Sequence, residues 1–406
     1  MLSGLRVLDL SDESGFLAGK VLGDLGADVV KVEPPGGDLA GRRAPFLHGR
    51  ADPERSLAWL ALNTSKRGIT LDLRAEAGRE LFGRLVAGAD VVLETFAPGW
   101  LAAQHPELDW RRLREAHPRL VWCAITPFGQ DGPLARWRAR DLVVVAMGGN
   151  AWMTGDPARP PLRCSMPTAY YHAGPAAALG VAMALHGRHR TGRGDFVDVS
   201  LQECQLETLL GSVGSARAMG RVPRRSGART GRTREIWPAR DGHVSFGLRG
   251  GPARVPGLRA LVAWMDECGQ APEWLRGFDW ERYAPERLET SELARLEEAF
   301  GGFFASRSMR ELYAGALARR ILLAPCNDAR EVLAQPQLRA RGFFVELDYP
   351  ELGARIEHPA FFARTEDAAI RLRRRAPRIG EHNAEVYAEL GLGPEALAKL
   401  VAEGVI

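Results

Sequence analysis

The sequence predicts an α/β protein whose large domain is a Rossmann-like, doubly wound parallel sheet. Two observations indicate this class. Short apolar runs of strand length recur through the N-terminal third of the chain, and segments with a helical spacing of apolar residues lie between them. Such alternation favours parallel strands with right-handed crossovers and helices on both faces of the sheet. At 406 residues the chain is also long enough for a second, smaller domain.

The first βαβ unit is predicted at the N-terminus. The run LRVLDL (5–10) fits a buried strand, and residues 15–25 place four apolar side chains on one helical face. Gly26 ends this helix, and VVKV (29–32) forms the next strand. The alternation then continues, with further helices predicted over 75–86 and 110–116 and further strands over 91–93 and 120–125.

The first strand-to-helix turn, SDESGFLAG (11–19), bears on whether the predicted sheet binds a dinucleotide. It lacks the G-x-G-x-x-G pattern, whose glycines let a pyrophosphate approach the helix N-terminus. Asp12 and Glu13 in the same turn would also repel phosphate. The turn therefore predicts a protein that does not use NAD.

Composition and charge exclude several kinds of partner. The net charge is +4, and arginines are spread from end to end beside only four lysines, so no basic nucleic-acid surface is predicted. Five cysteines, an odd count without C-x-x-C spacing, predict a reducing compartment and neither disulfides nor a zinc site. The start MLSGLRVLDL has no signal-peptide h-region, and no window reaches the roughly 18 apolar residues of a membrane span. We therefore expect a cytoplasmic protein without metal, nucleic-acid or membrane partners.

The most informative stretch is RCSMPTAYYHAG (163–174), followed by an Ala-rich helix predicted over 175–186 and the turn RHRTGRGDFVDVSL (188–201). Together they resemble the core signature of the class III CoA-transferases, the formyl-CoA and carnitine CoA-transferase type. Further strings resemble the family's in the same order, at 27–38, 62–73, 94–101, 126–149 and 376–392. The resemblance covers nearly the whole chain. Two further stretches, at 235–258 and 323–347, resemble the benzylsuccinate CoA-transferase subunit type, which lacks the nucleophilic Asp.

The resemblance implies that coenzyme A or acyl-CoA binds as a substrate. Its phosphates need hydrogen-bond donors and positive charge at strand ends and helix N-termini. The matching positions are Asn63, Thr64, Ser65 and Lys66, just before a predicted strand, Thr95, Phe96 and Ala97, just after one, and Arg138 with Asp141. Arg138 is the preferred anion ligand because a guanidinium binds phosphate bidentately. The alternatives are loop polar groups satisfied by backbone and a surface ion pair between Arg138 and Asp141.

The family's nucleophile is an Asp that attacks the acyl thioester to give a mixed anhydride and then an aspartyl-CoA thioester. Here the matching position is Tyr170. A phenol with a pKa of about 10 stays protonated at neutral pH, and its acyl ester is much less activated than an anhydride. His172 could in principle act as its base, but neighbouring residues in a turn rarely point together.

Several functions fit these residues. The resemblance extends to acyl-CoA racemases, but their paired His and Asp match Arg140 and Tyr170, so both proton carriers are lost. The favoured hypothesis is a CoA-transferase that moves CoA between an acyl-CoA and a free carboxylic acid. It would work with an Asp-bearing paralogous subunit, because Tyr170 replaces the nucleophilic Asp. A non-catalytic, CoA-binding structural or regulatory subunit is the alternative from another class, and an unpaired enzyme with altered chemistry also stays open.

The second half predicts a change of domain. Residues 217–234, rich in Arg, Gly and Ser, read as a linker between a large domain over 1–216 and a smaller α+β domain over 235–323. In the smaller domain we expect a strand over 243–247 and helices over 258–267, 293–304 and 309–318, with GLRGG (247–251) as a turn. Residues 324–406 then return to the large domain, and the resemblance implies an interlocked dimer, either a homodimer or a heterodimer.

Overall fold

The computed structural model describes residues 1–39 and 41–406. Its centre is a six-stranded sheet in which every neighbouring pair is parallel and the strand order is β3-β2-β1-β4-β5-β6. This order reverses between β1 and β4, as in doubly wound folds. The strands are β1 (Arg6–Leu10), β2 (Asp28–Glu33), β3 (Lys66–Thr70), β4 (Val91–Glu94), β5 (Val121–Thr126) and β6 (Phe196–Ser200). The predicted α/β class and parallel sheet are confirmed.

The two faces of this sheet carry separate apolar cores because side chains alternate along each strand. Val7, Val29 and Val91 belong to the core on one face, and their successors Leu8, Val30 and Val92 belong to the core on the other. The helices α1 (Phe16–Asp24) and α8 (Thr168–Thr191) contribute to the first core, and α3 (Glu76–Ala87) contributes to the second.

The remaining helices lie between and after the strands. They are α2 (Leu57–Leu62), α4 (Trp100–Gln104), α5 (Trp110–Ala116), α6 (Asp141–Met147), α7 (Asn150–Met153), α9 (Leu201–Glu207), α10 (Leu210–Met219), α11 (Val255–Glu267), α12 (Glu273–Arg276), α13 (Thr290–Ala305), α14 (Met309–Arg319), α15 (Ala329–Ala334), α16 (Pro336–Ala340), α17 (Asn383–Ala388) and α18 (Pro394–Ala402). No helix in the described ranges has the length and apolar character that a membrane crossing needs.

Three predictions of local structure are wrong. The signature stretch is not a turn, because α8 begins at Thr168 and takes in Tyr170 and His172, with Pro175 inside the helix. The stretch 188–201 is not all turn either, since β6 forms within it as one of the two edge strands of the sheet. The middle residue of β6, Asp198, is exposed, so the sequence of this strand lacks the continuous apolar run that is typical of a buried strand. Lys66 does not precede a strand, because β3 begins at this residue.

The chain forms two compact units, each described by itself. The first contains the six-stranded sheet and comprises residues 1–151, 163–222 and 337–406, including the hairpin of β12 (Phe344–Tyr349) and β13 (Ala354–Pro359). The second comprises residues 152–162 and 223–336.

The second unit is built on a small antiparallel sheet, in which β10 (Gly242–Phe246) lies between β9 (Ile236–Ala239) and β11 (Leu323–Pro325). Its aromatic core lies around Trp237, Phe246 and Phe304. The predicted strand and three helices of this unit are confirmed within a few residues as β10, α11, α13 and α14. The domain boundaries set out above stay a prediction. The strands of the unit are β7 (Arg229–Thr230), β8 (Thr233–Arg234), β9 (Ile236–Ala239), β10 (Gly242–Phe246) and β11 (Leu323–Pro325).

Candidate functional site

A cavity of about 290 Å³ opens at the carboxyl ends of β1, β4 and β5. Loops at this edge of a parallel sheet are where ligands of doubly wound folds bind. The sequence-predicted residues that line it are Thr95, Phe96, Ala97, Arg138 and Tyr170. The sheet thus brings together residues from three distant parts of the sequence. Asp12 and Arg140 line the same cavity, although the sequence pattern did not suggest them as ligands.

The floor of this cavity is fixed by hydrogen bonds between neighbouring loops. The backbone N–H of Asp12 donates to Thr95 Oγ1 over 2.8 Å, which ties the loop after β1 to the loop after β4. The N–H of Phe96 donates to Glu94 Oε2 over 2.5 Å, and the Phe96 ring stacks on Trp100 with centroids 5.0 Å apart. Phe96 therefore has a defined orientation and presents an aromatic wall to the cavity.

Tyr170 is buried, with 5% of its surface exposed, and its hydroxyl oxygen accepts the backbone N–H of Asp141 over 3.1 Å. The Asp141 carboxylate in turn accepts the N–H of Ala169 over 2.9 Å, which satisfies a free donor in the first turn of α8. This reciprocal pair joins the start of α6 to the start of α8. Burial, together with the nearby carboxylates of Glu13 and Asp12, raises the pKa of Tyr170 above its ordinary value, so the phenol stays neutral.

The two arginines of the cavity differ in their partners. Arg140 forms an ion pair with Glu13 over 3.1 Å. Arg138 is exposed and has no ion pair within the described residues. The alternative of an Arg138–Asp141 ion pair is not realised, because the Asp141 carboxylate is turned to the N-terminus of α8. Arg138 is therefore the cation of this cavity whose charge is free to meet an anion.

Residues 63–66 lie in the protein interior instead. The Lys66 ammonium donates to Asp9 Oδ2 over 2.7 Å and to Phe16 O and Asn63 Oδ1 over 2.8 Å each. Burial lowers the pKa of Lys66 to about 8, against the attraction of the Asp9 carboxylate. Ser65 Oγ donates to Asp24 Oδ1 over 2.5 Å. This segment joins β3 to β1 and α1, and none of its side chains lines the cavity around Tyr170.

His172, the other candidate of the signature helix, faces a different partner. Its Nδ1 lies 2.8 Å from Nε2 of Gln205 on α9. Two further cavities adjoin the one around Tyr170, and Phe96 lines all three. One of about 500 Å³ includes Lys31, Arg74 and Trp100, and the other of about 610 Å³ lies between β4, α5 and the segment after β5.

The fold is a doubly wound sheet with three adjoining cavities at its carboxyl edge, the edge where ligands of such folds bind. The chain belongs to CoA-transferase family III, whose family model matches residues 2–383. It is 34% identical to the subunit BbsE of succinyl-CoA:(R)-benzylsuccinate CoA-transferase from Thauera aromatica, over 100% of this chain and 98% of the relative. It is 31% identical to the succinate–glutarate CoA-transferase of Agrobacterium fabrum, over 96% and 95% of the two chains.

A solved structure supports the same assignment. A CAIB/BAIF family protein from Brucella suis superimposes with a TM-score of 0.82 at 30% identity, covering 96% of this chain and 98% of that one. The expected family membership is therefore confirmed, and the chain is a CoA-transferase by family.

Proposed function

We propose that this chain is one subunit of a CoA-transferase that moves CoA from an acyl-CoA, such as succinyl-CoA, to a free carboxylic acid. An Asp-bearing paralogous subunit supplies the nucleophile. Two relatives named for succinyl-CoA or succinate, one of them named as a subunit, support this assignment. Coenzyme A is here a substrate, and the carboxylic acid is the second one.

The main support for this proposal is that the Tyr170 hydroxyl is buried and neutral. The hydroxyl lies at the wall of the cavity, held by the N–H of Asp141, with a raised pKa. A neutral phenol is a poor nucleophile toward a thioester, and an aryl ester would be a slow acyl donor. In our proposal Tyr170 occupies the place of the family's Asp, so covalent transfer takes place on the partner's carboxylate.

The same cavities suggest how coenzyme A is held. We assign the thioester and pantetheine to the cavity around Tyr170, where Thr95, Phe96 and Ala97 form one wall. Arg138 would meet a phosphate, since its guanidinium is exposed and a guanidinium binds phosphate bidentately. Asp141 would act by positioning Tyr170. The remaining predicted ligands would act by fixing the sheet edge beneath the site, namely Asn63, Thr64, Ser65 and Lys66.

An interlocked dimer is the assembly we propose. The chain leaves its first unit, builds the second and returns to the first, a course that allows another chain to thread through it. Large apolar side chains are exposed on two helices of the first unit, at Leu179 and Met183 of α8 and at Leu210 and Val213 of α10. Exposed apolar groups in such number are typical of a protein interface. Five free cysteines, three of them exposed, support the cytoplasm as its compartment.

The test is to purify the chain alone and co-expressed with its Asp-bearing paralogue. Each preparation is given succinyl-CoA and a panel of carboxylic acids, and product acyl-CoA is measured by chromatography. We expect CoA binding by both preparations and transfer only by the heteromer. Transfer by the chain alone would contradict the need for a partner, and CoA binding without transfer by either preparation would favour the structural-subunit alternative.

Three variants make the test specific to Tyr170. In the heteromer, Tyr170→Phe keeps the ring and removes the hydroxyl, so we expect transfer to be retained within a few-fold. In the chain alone, Tyr170→Asp introduces a carboxylate, and Tyr170→Asn is its uncharged match. Transfer gained by Tyr170→Asp but not by Tyr170→Asn would show that the nucleophile alone is missing. A loss of activity of 100-fold or more in the Tyr170→Phe heteromer would assign chemistry to the phenol.

A further inference from the structure

The largest of the three cavities that Phe96 lines has a polar floor that the proposed CoA site does not use. Its volume is about 610 Å³, which is within the range of small-molecule sites. It shares the Phe96–Pro98 wall and Trp137 with the Tyr170 cavity, and its other lining residues are its own. Glu94 at the end of β4 and Trp122 in β5 lie at its inner end.

Two side-chain donors of this cavity lack a hydrogen-bond partner. The Trp122 side chain is 1% exposed, and its indole N–H has no hydrogen-bond partner. That N–H lies close enough to the Glu94 carboxyl group to oppose the rise in its pKa, but it is outside hydrogen-bond geometry for any partner. The amide nitrogen of Gln130 is likewise buried without a partner. Buried donors of this kind are rare in folded proteins and call for an acceptor from a ligand or from water.

Glu94 is 8% exposed, and one of its oxygens accepts the N–H of Phe96. No cation of the described chain forms an ion pair with it. Burial raises the pKa of Glu94 to about 8, and the carboxylate of Asp198 adds to this effect. At neutral pH the group is therefore a carboxylic acid that can donate its proton in a hydrogen bond. The inner end thus presents donors from Glu94, Trp122 and Gln130.

The walls are apolar and the rim is basic. Trp110 stacks on Phe196 with ring centroids 4.1 Å apart, and Leu101 and Leu108 complete this side. Arg111 and Arg136 line the outer part, opposed by the single carboxylate of Asp131. Such a site is shaped for an apolar body and carries an excess of positive charge that favours an anion.

We propose that this cavity is a second ligand site, which binds a small monocarboxylate with an aromatic or branched apolar body. The carboxylate would accept hydrogen bonds from Trp122, Gln130 and the acid form of Glu94, and the apolar body would pack between Trp110 and Leu108. A free carboxylic acid is also the class of co-substrate in the proposed function. The site itself is inferred from the cavity's own donors and walls, and it does not depend on transfer.

Binding is expected to depend on pH through Glu94. The titratable groups that interact with Glu94 are Asp198 on β6 and the Cys123 thiol on β5. The charged groups that line the same cavity are Asp131, Arg111 and Arg136. Below pH 8 the neutral acid donates to the ligand. Above pH 8 Glu94 becomes a carboxylate and repels the bound anion, so affinity is expected to fall about tenfold for each further pH unit.

The test uses 3-phenylpropanoate, which stays ionised throughout, titrated calorimetrically into the full chain without CoA from roughly pH 6.5 to pH 9.5. We expect binding that weakens above pH 8, whereas Glu94→Gln should bind with little pH dependence. Trp122→Phe should lose about tenfold in affinity at neutral pH, as expected for one lost hydrogen bond to a charged group. Trp152→Phe, which alters an exposed indole of the second unit, is the matched control and should bind normally.

Two comparison ligands define the class. 3-Phenylpropanamide has the same body without the charge, and acetate has the charge without the body, so both should bind at least tenfold more weakly. The proposal is overturned by absence of binding at millimolar 3-phenylpropanoate, by equal binding of the amide, or by a pH profile that Glu94→Gln leaves unchanged. Because no CoA or partner subunit is present, such a failure says nothing about transfer, and the two proposals fail separately.

Discussion

Asp9 lies between two buried ammonium groups at the carboxyl half of β1. Lys66 Nζ is 2.7 Å from Asp9 Oδ2, and Lys31 Nζ is 3.9 Å from Asp9 Oδ1, with all three side chains essentially without solvent contact. Burial favours the neutral acid, but the two ammonium groups outweigh it and hold the pKa of Asp9 below its usual range. A charge cluster of this kind is most sensitive to loss of the member that balances the others.

Asp9→Asn is therefore expected to lower the free energy of unfolding by about 3–5 kcal/mol, because it leaves two buried cations without a counter-charge. The measurement is chemical denaturation followed by tryptophan fluorescence. Asp9→Asn/Lys66→Met removes one of the stranded cations and should recover part of that loss. If the single variant is as stable as the parent chain, the charges of this cluster are not buried in solution.

The raised pKa of Glu94 predicts that the free energy of unfolding depends on pH. Its folded-state pKa of about 8 lies above the value of about 4.3 in an unfolded chain. Between these pH values the folded protein holds a proton that the unfolded chain releases, so its stability is full in acid and declines as pH rises toward 8. The decline should be at most about 1.4 kcal/mol per pH unit.

In Glu94→Gln this part of the decline should be absent, so the variant gains stability relative to the parent chain between pH 5 and pH 8. The quantity to compare is the urea midpoint of each protein across that range. Glu80→Gln, an exposed position on α3, is the matched control and should follow the parent chain. Identical pH profiles for the parent and Glu94→Gln would show that Glu94 is ionised at neutral pH in the folded state.

At the scale of elements, α8 shows where sequence patterns suffice and where they do not. Its Ala-rich second half is predictable from composition, but its start is not. Pro175 resembles a helix start because proline is favoured in the first turn. Instead α8 begins at Thr168, and the N-terminal turn is fixed by the contact between Ala169 and the Asp141 carboxylate, which is distant in sequence. Proline costs one hydrogen bond inside the helix, and packing of α8 on α1 offsets that loss.

Gly174 and Gly187 in α8 make a matched pair of substitutions. A Cβ on Gly174 would lie 2.7 Å from Leu17 Cβ of α1, whereas a Cβ on Gly187 would meet nothing within 4 Å. Gly174→Ala is therefore expected to destabilise the protein by about 1–3 kcal/mol through overpacking. Gly187→Ala should stabilise it by about 0.5–1 kcal/mol, since alanine is the better helix former. Melting temperatures that move in the same direction would contradict the close packing of α1 and α8.

The strands follow the same logic. The buried strands β1, β2, β4 and β5 are predicted within two residues, because both faces are covered and their apolar runs are interrupted only by Asp9 and Lys31. The edge strand β6 pairs with one neighbour and exposes Asp198, so its sequence reads as a turn. The inward orientation of the Lys66 side chain could not be predicted for a related reason. That orientation follows from the register of β3 on β2, and the sequence alone does not show toward which face of the sheet a charged side chain points.

At the scale of the molecule, the cavity around Tyr170 was partly predictable. Thr95, Phe96 and Arg138 could be named from strings that resemble the family's, and the parallel sheet places them along one edge. Asp12 could not, because its place in the cavity follows from the bond between its backbone N–H and Thr95 Oγ1. The unpartnered donors around Glu94 could not be predicted from the sequence either, because their lack of partners arises only in the folded core.

The proposed interlocked dimer predicts how its subunits exchange. If two chains thread through one another, as the return of the chain to its first unit allows, subunits cannot exchange without unfolding. Purified chains carrying two different affinity tags should therefore form no mixed dimers after days of mixing, whereas co-expression should yield them in abundance. The measurement is sequential affinity purification with mass determination by light scattering.

A variant separates threading from surface affinity. Leu210→Glu/Val213→Glu places charges on the exposed apolar face of α10 and would split a dimer held by that surface alone. An interlocked dimer should instead persist at low protein concentration, because its chains cannot part while folded, although its melting temperature should fall. Rapid formation of mixed dimers by the parent chains would show that the two chains associate side by side, and an Asp-bearing paralogue could then be added to the purified chain after folding.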